Sequence, residues 1–359
     1  MRKAAIIGAG PAGIEAAEIL AGNGVDTTLF EKSESALQNL RDKAFLFPDF
    51  TKADEIADEL DNKLLSENIT TYTNTEISEI KWKGTEWLVI SADSREWTFD
   101  AVLIATGYRT FDARRKEELG YGIYSGVITS LEMERMIKDG KIVNSIGDIP
   151  QRIAFLQCVG SRDEKSGNHY CSKVCCVTAV KQAIELRRLL PKTDITVFYM
   201  DLRMWGQGFE EMYRSSQEKY NINFVRGRIS EAAPTFDGRI QIKTEDTLLS
   251  LPLKTSVDLL VLMVGMESSE GTRALGKSCG ICGDYGFIRT LSPHLYDNFT
   301  DKPGLFAAGT CKRPLCIQDS INDGRSAAIA ILDYLNSLPQ SDRNQSARGR
   351  DAARANRPH

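Results

Sequence analysis

The fold is decided by residues 3–31, which read KAAIIGAGPAGIEAAEILAGNGVDTTLFE. Lys3–Ile7 is a short apolar run typical of a buried parallel strand. It leads directly into the pattern G-x-G-x-x-G at Gly8, Gly10 and Gly13, and a helical pattern follows. Gly8 permits a tight turn, Gly10 lets backbone amides approach a pyrophosphate, and Gly13 lets the helix pack close to the strand. This strand–turn–helix context predicts an α/β dinucleotide-binding domain.

The acid at the end of the second strand supports this prediction. Asp26–Phe30 reads as a strand and is followed at once by Glu31. A carboxylate there accepts a hydrogen bond from the adenosine ribose and repels a 2′-phosphate, so NADP is disfavoured. We therefore expect the following residues of this region to bind the cofactor: Gly8, Gly10, Pro11, Ala12, Gly13, Glu31 and Lys32.

Half of the eight cysteines lie in one short stretch, Cys158 to Lys181, CVGSRDEKSGNHYCSKVCCVTAVK. If the Cys171 side begins a helix, Cys171 and Cys175 share one face and Cys176 lies one step round. Cys158 would reach them from the loop after a predicted strand, Ile153–Gln157. Four converging thiolates suit a four-coordinate soft metal centre.

An iron–sulfur cubane is the first interpretation of this stretch, and a structural zinc is the second. Adjacent cysteines and a twelve-residue gap do not match the paired spacing of common zinc sites. Buried or disulfide-bonded cysteines are the structural alternative, but a disulfide framework is not expected in a chain of this size without a signal peptide. The predicted metal ligands are Cys158, Cys171, Cys175 and Cys176.

Three fingerprints in order indicate FAD as the dinucleotide. After the first glycine turn, Asp100–Gly107 (DAVLIATG) resembles the second fingerprint of flavoproteins with two dinucleotide domains. Gly304–Thr310 (GLFAAGT), followed by Ser320–Leu332, resembles their last flavin-contacting segment. An Asp usually stands where this chain has Thr310. The expected further cofactor residues are Ala105, Thr106, Gly107, Gly309, Thr310 and Ile317.

The second domain lacks its own glycine turn. The residues after the predicted strand at 153–157 are Cys158-Val159-Gly160-Ser161 instead. A doubly wound domain is still expected, with a helix at Val177–Leu190 and further strands at Ile195–Met200, Phe224–Gly227, Arg239–Thr244 and Asp258–Val264. We therefore predict two interleaved Rossmann-like domains, the second a nucleotide domain rebuilt around a metal cluster, with weak or absent NAD(P)H binding there. The expected boundaries are 1–110 plus 290–338 for the FAD domain, 111–289 for the degenerate domain and 339–359 for a basic tail.

Composition excludes several classes of protein. The chain of 359 residues has a net charge of −4, which gives no sign of nucleic-acid binding. No apolar run is long enough for a membrane span, and the first strand leaves no room for a signal sequence, so a cytoplasmic location is expected. The tail from residue 341 is basic and poor in large apolar residues, which predicts disorder.

The chain resembles a known family, the A subunits of heterodisulfide reductases, from about Gly8 to Leu332. The motifs that carry the resemblance are FLQCVGSRD (Phe155–Asp163), YCSKVCC (Tyr170–Cys176) and DLRMWGQGFEEMY (Asp201–Tyr213). The resemblance implies a homodimeric flavoprotein with a thioredoxin-reductase-like or glutathione-reductase-like core, FAD and one [4Fe–4S] cluster on the four cysteines. It also implies electron exchange with B- and C-type partner subunits in sulfur or disulfide metabolism. The family's lysine five residues past the last cysteine corresponds to Lys181, near the flavin N5; the alternative for Lys181 is a surface lysine.

The cysteine spacing departs from that of the methanogen-type protein. There is no C-x2-C-x2-C-x3-C run, so a compact form is expected, resembling the A subunits of heterodisulfide-reductase-like complexes of sulfur-oxidising bacteria.

Three other functions stay open from the sequence. They are a component of a quinone-modifying oxidoreductase, a self-contained NAD(P)H-dependent disulfide reductase using the pair Cys279 and Cys282, and a non-catalytic redox-sensing flavoprotein. Cys311 and Cys316 are interpreted as small buried thiols.

Overall fold

The structure is a computed structural model of the chain, and it describes residues 1–339. The predicted basic tail, apart from its first residue, lies outside the described residues. Eighteen strands and eight α-helices are present within them. The strands are β1 (Lys3–Ile7), β2 (Asp26–Phe30), β3 (Ile69–Tyr72), β4 (Ile77–Trp82), β5 (Trp87–Ser91), β6 (Glu96–Phe99), β7 (Ala101–Ile104), β8 (Tyr108–Thr110), β9 (Val127–Thr129), β10 (Arg152–Val159), β11 (Asp194–Tyr199), β12 (Asn223–Arg226), β13 (Glu231–Pro234), β14 (Ile240–Asp246), β15 (Leu251–Val257), β16 (Leu259–Val264), β17 (Met266–Ser268) and β18 (Leu305–Ala307). The helices are α1 (Pro11–Gly22), α2 (Gln38–Arg41), α3 (Ala53–Lys63), α4 (Ser130–Lys138), α5 (Cys175–Leu189), α6 (Phe209–Glu218), α7 (Glu270–Ser278) and α8 (Ile317–Ser337).

The first half of the molecule is built on a parallel five-stranded sheet in the order β18-β7-β1-β2-β3. Its central strands are almost wholly buried, as expected for a parallel sheet covered on both faces. Helices α1 and α8 pack against each other beside it. A Cβ on Gly324 of α8 would lie 2.3 Å from the carbonyl oxygen of Ala12, so this close approach requires glycine.

The second half repeats the plan with a parallel sheet in the order β12-β11-β10-β16-β9. Helices α4, α5 and α6 form a core with it. The two halves are joined by the short antiparallel pair β8–β17. This architecture confirms the predicted α/β class with two Rossmann-like units; the domain boundaries remain a prediction.

Two local predictions differ from the structure. The stretch predicted as the strand Arg239–Thr244 is β14, which lies in a separate antiparallel sheet with β13 and β15 and not in the parallel sheet. Short turns connect these three strands, and such turns can only join antiparallel neighbours. The sequence of Ile69–Ser91 predicts a small meander, but in the structure Ile69–Tyr72 is the edge strand of the first sheet, and the meander is β4-β5-β6.

A segment of the first half, residues 44–50, packs into the core of the second half. Ala44 is buried there, and the aromatic rings of Phe45, Phe47 and Phe50 lie against the same core. The Phe47 ring meets that of Phe209 edge to face at 5.3 Å. The 44–50 segment therefore holds the two halves together beside the cleft that separates them.

Candidate functional site

A cavity of about 640 Å³ lies between the two halves, at the carboxyl ends of β1, β2 and β7. This edge of a parallel sheet is where doubly wound proteins bind nucleotides. All the predicted cofactor residues except Gly13 line it, namely Gly8, Gly10, Pro11, Ala12, Glu31, Lys32, Ala105, Thr106, Gly107, Gly309, Thr310 and Ile317. The fold therefore brings residues from three distant parts of the sequence to one wall.

The glycine turn leaves open space at the position that a phosphate group would need. A Cβ on Gly13 would lie 2.0 Å from the Gly8 carbonyl oxygen, so Gly13 serves the packing of helix on strand. A Cβ on Gly10, in contrast, would meet nothing within 4 Å. Within residues 1–339 no side chain caps the first turn of α1, which has Pro at its start. Its free amides and the helix dipole suit an anion such as a pyrophosphate.

Glu31 is held in place by backbone amides. Its Oε2 accepts a hydrogen bond from the Ala9 amide at 2.9 Å, and its Oε1 accepts one from the Ser33 amide at 2.9 Å. Each carboxylate oxygen keeps a further lone pair. The group is therefore oriented at the cavity wall with the capacity to accept from ribose hydroxyls.

The far wall is formed by the turn after β18 and the start of α8. Gly309 donates its amide hydrogen to Asp323 Oδ2 at 2.6 Å, and Lys312 Nζ lies 2.8 Å from Asp323 Oδ1. Sequence reasoning missed Asp323, which anchors the turn that carries Thr310. The 21-residue helix α8 begins at Ile317 on the cavity wall, so its positive end faces the cavity.

Lys181 lies on the opposite side of the cavity and is buried, with 1% of its surface exposed. The alternative of a surface lysine is therefore wrong. Its Nζ lies 2.7 Å from Glu134 Oε1 and donates to the Phe45 carbonyl oxygen at 2.8 Å. Lys181 thus connects α5, α4 and the 44–50 segment. Sequence reasoning missed Glu134, because its partners are remote in the chain.

Three of the four predicted metal ligands lie together. Cys175 is hydrogen-bonded to both Cys158 and Cys176. Hydrogen bonding with Cys175 lowers the pKa of Cys158 and lowers that of Cys176 to about 7, while the pKa of Cys175 itself is raised. Arg162 beside Cys158 further favours the thiolate. Cys175 also lines the cavity, so this group of thiols adjoins the proposed cofactor position.

The local structure around these thiols differs from the expected one in two ways. Helix α5 begins at Cys175, so Cys171 lies in the preceding loop and the expected i, i+4 pairing does not exist. Strand β10 continues through Cys158, which has a positive φ of 61° at a register irregularity and is not in a loop. The bulge turns Cys158 toward the α5 core, where Ile153 and Phe155 also lie.

The surroundings of the thiols fit a cluster in part. Among the described residues, His, Cys, Asp and Glu side chains form no group of three or more already arranged to hold a metal ion. Several buried polar atoms beside Cys158 have no hydrogen-bond partner within residues 1–339: both amide atoms of Gln157, Ser161 Oγ and Arg162 Nη1. Unpartnered buried N–H groups beside thiols fit a group that accepts hydrogen bonds through sulfur.

Three of the other four cysteines, Cys279, Cys311 and Cys316, lie in surroundings that disfavour a reactive thiolate by raising the thiol pKa. All eight cysteines lie in the described region and are free thiols. Burial raises the pKa of Cys279, and raises that of Cys311 to about 12, so both are weak nucleophiles. Cys316 caps the start of α8, where its sulfur accepts a hydrogen bond from the Asp319 amide. These contacts favour structural roles.

Comparison with known proteins agrees with this geometry. A family model described as pyridine nucleotide-disulphide oxidoreductase matches residues 2–130. The chain is 42% identical over 236 residues to the A subunit of the H(2):CoB-CoM heterodisulfide,ferredoxin reductase of Methanothermobacter thermautotrophicus, covering 63% of this chain and 36% of the relative. It is 40% identical over 240 residues to the iron-sulfur A subunit of the CoB–CoM heterodisulfide reductase of Methanocaldococcus jannaschii, covering 64% and 36%. The chain thus spans about a third of the length of these relatives.

Comparison with solved structures shows which known fold the chain shares. Thioredoxin reductase of Lactococcus lactis superposes with a TM-score of 0.66 at 19% identity, covering 94% of this chain and all of that one. The enzyme of T. acidophilum gives 0.64 at 18% identity with the same coverage. Together the comparisons show an α/β dinucleotide-binding fold of the kind found in flavoprotein oxidoreductases. Among the described residues, every helix falls short of the length or apolar character that a membrane span requires.

Proposed function

The chain is a relative of the A subunits of heterodisulfide reductases, and from this premise we propose that it is an electron-transfer flavoprotein subunit. It would hold FAD in the cavity and a [4Fe–4S] cluster on Cys158, Cys171, Cys175 and Cys176. Electrons would pass between the two centres and partner B- and C-type subunits in disulfide or sulfur metabolism. The proposal extends to a homodimer in the cytoplasm.

One observation carries the proposal: Cys175 belongs at once to the wall of the dinucleotide cavity and to the group of thiols. A cluster bound there would lie next to the flavin, as single-electron transfer requires. FAD, when bound, supplies an acceptor for two electrons that can be released singly. The protein holds it by the amides of α1, by Glu31 and by the turn at Gly309.

The features of a pyridine-nucleotide site are lacking where β10 ends. A relative that binds NAD(P)H there needs a second glycine-rich turn. In this chain the corresponding Gly160 is packed so tightly that a Cβ would lie 2.0 Å from the Phe111 ring. Gly160 therefore serves internal packing, and the residues after β10 lack the G-x-G-x-x-G pattern of such a turn. The contrast with the open space beside Gly10 favours electron exchange with protein partners.

The test is an anaerobic analysis of purified protein. We expect one FAD and about four irons with acid-labile sulfide per chain, and flavin and iron–sulfur absorbance that bleach and recover together during a reductive titration. Protein that stays iron-free after reconstitution would refute the cluster. Protein that takes up no flavin would refute the assignment of the cavity.

Partner binding is tested separately by co-purification with B- and C-type subunits, measured with and without prior reduction. Turnover of a disulfide with NAD(P)H by the isolated chain would contradict an electron-transfer role and support a self-contained reductase.

A further inference from the structure

Three ionisable side chains form a buried group beside the cavity: Lys181, Glu134 and Glu185. Lys181 and Glu134 are each 1% exposed, and Glu185 is 3% exposed. Lys181 Nζ lies 2.7 Å from Glu134 Oε1 and 3.6 Å from Glu185 Oε2. The group therefore contains one cation and two carboxyls, and full ionisation would leave a net negative charge in the interior.

The two carboxyls are not equivalent. Glu134 accepts hydrogen bonds from Lys181, from Gln182 Nε2 and from the Ala44 amide. Although burial opposes its ionisation, these partners leave the pKa of Glu134 below its ordinary value. Neither oxygen of Glu185 has a hydrogen-bond partner among the residues that the structure describes. An unpartnered buried carboxylate is costly, so Glu185 is the member of the group that carries a proton.

The charged groups that act on Glu185 come from two helices. Burial raises the pKa of Glu185 to about 8; Lys181 and Arg188 on its own helix lower it, and Glu134 on α4 raises it. From the first half of the molecule, Lys43 acts on Glu134. The balance leaves Glu185 close to the point at which a small change in local charge alters its protonation.

The cavity supplies that change in charge. Lys181 and Glu134 both line the cavity, and Glu185 lies directly behind Lys181. Two electrons added to a ring bound in the cavity would add negative charge near Lys181, which lines the cavity and lies 3.6 Å from Glu185. Because the interior screens charge poorly, the affinity of Glu185 for a proton must then rise.

We propose that Glu185 is a proton-accepting site coupled to flavin reduction: it takes one proton from solvent when an electron pair enters the cavity and returns it when the pair leaves. The inference rests on the proposed binding of FAD. The electrons come from a reduced iron–sulfur partner, or from dithionite in the laboratory. The only bond made at Glu185 is O–H, as the carboxylate becomes a carboxylic acid, and the flavin's own protons are separate from this one.

The coupling has a defined pH range. Below about pH 8 Glu185 already holds its proton before the flavin is reduced, so Glu185 takes up no further proton when the electrons arrive. Above that pH it is ionised with oxidised flavin and gains a proton on reduction. One extra proton per electron pair means that a tenfold fall in proton activity changes the reduction equilibrium a further tenfold, or about 30 mV for a two-electron couple.

The experiment is a potentiometric titration of the flavin absorbance between pH 6.5 and 9.5 in the FAD-loaded protein. We expect the wild type to show an additional fall of about 30 mV per pH unit above pH 8 and Glu185→Gln to lack it. Glu15→Gln is the matched control. Glu15 is as buried as Glu185. Burial opposes the ionisation of Glu15, but Lys63 and Arg325 keep the pKa of Glu15 below its ordinary value. Glu15→Gln should therefore keep the wild-type slope.

A second measurement needs no variant. At pH 8.5, where about three quarters of Glu185 is ionised before reduction, a pH-indicator dye should record up to about 0.7 more proton taken up per flavin reduced than at pH 7, beyond the change due to the flavin itself. If flavin binds normally and wild type and Glu185→Gln have equal slopes and equal proton uptake, the inference is wrong while the proposed function stands. Failure of the wild type to bind flavin refutes both.

Discussion

The burial of Glu185 predicts a pH-dependent gain in stability when its charge is removed. In the folded protein the pKa of Glu185 is about 8, against an ordinary value of 4.5. Below pH 4.5 the group is protonated in both the folded and the unfolded state and costs nothing. As the pH rises from 4.5 to 8, the unfolded chain ionises and the folded one does not, so unfolding becomes progressively more favourable. Above pH 8 the penalty is constant.

Glu185→Gln removes this titration and keeps the shape of the side chain. At 1.36 kcal/mol per pKa unit, the variant should gain about 1 kcal/mol in free energy of unfolding at pH 5.5, about 3 kcal/mol at pH 6.5 and about 4–5 kcal/mol at pH 8. The assay is urea unfolding at each pH with saturating FAD, followed by circular dichroism and flavin fluorescence. Glu15→Gln should instead lose stability at all three of these pH values, since they lie above the ordinary pKa of 4.5 and the variant removes an ionised carboxylate paired with Lys63 and Arg325. A gain for Glu185→Gln that does not grow with pH would refute the reasoning.

Three further outcomes are expected. Gly10→Ala should fold like the wild type but bind FAD at least tenfold more weakly by fluorescence titration, because its Cβ enters open space beside the proposed phosphate site. The control is Gly22→Ala, whose Cβ also enters open space but at the far end of α1, and which should bind FAD normally. Equal FAD affinities of the two variants would contradict the proposed phosphate site. Cys175→Ala should lose iron on elemental analysis and keep FAD, whereas about four irons per chain in that variant would remove Cys175 from the ligand set. Glu134→Ala should lower the free energy of unfolding at pH 7 by about 3–5 kcal/mol, because it leaves Lys181 buried without its closest partner. A loss below about 1 kcal/mol would contradict this and show that Glu185 ionises and pairs with Lys181 instead.

The first half of the fold was predictable because its signals are local. The strand at Lys3–Ile7 and the one at Asp26–Phe30 match the structure residue for residue, and the glycines between them require one particular turn. Four of the five parallel strands of the second half, β10, β11, β12 and β16, were also predicted to within a residue or two at each end, whereas β9 was not predicted. A continuous apolar run bounded by polar residues carries this information in a few neighbouring positions.

The errors came where the geometry depends on neighbours distant in sequence. The spacing of Cys171 and Cys175 is compatible with one helix face, but α5 starts only at Cys175. The loop before it is held by contacts to β17, including the Tyr170 hydroxyl donating to the Met266 carbonyl oxygen. Likewise, the bulge that turns Cys158 toward α5 arises from pairing with β16, about a hundred residues later in the chain.

The site residues divide in the same way. Glu31 and the glycines are recognisable from spacing, since their roles follow from the turn they make. Glu134, Glu185 and Asp323 carry no motif; each matters because folding buries it beside a cation or an amide from another segment.

By itself, therefore, the sequence determined a dinucleotide cradle, a repeated α/β plan and a set of thiols, because backbone turns and hydrophobic periodicity depend on adjacent residues. Only the tertiary structure decided that the thiols adjoin the cavity, that Lys181 is buried and that an unpartnered carboxyl lies behind it. Burial and charge pairing depend on which segments meet in space, and the 44–50 segment and α4 meet α5 only after the two halves have packed together.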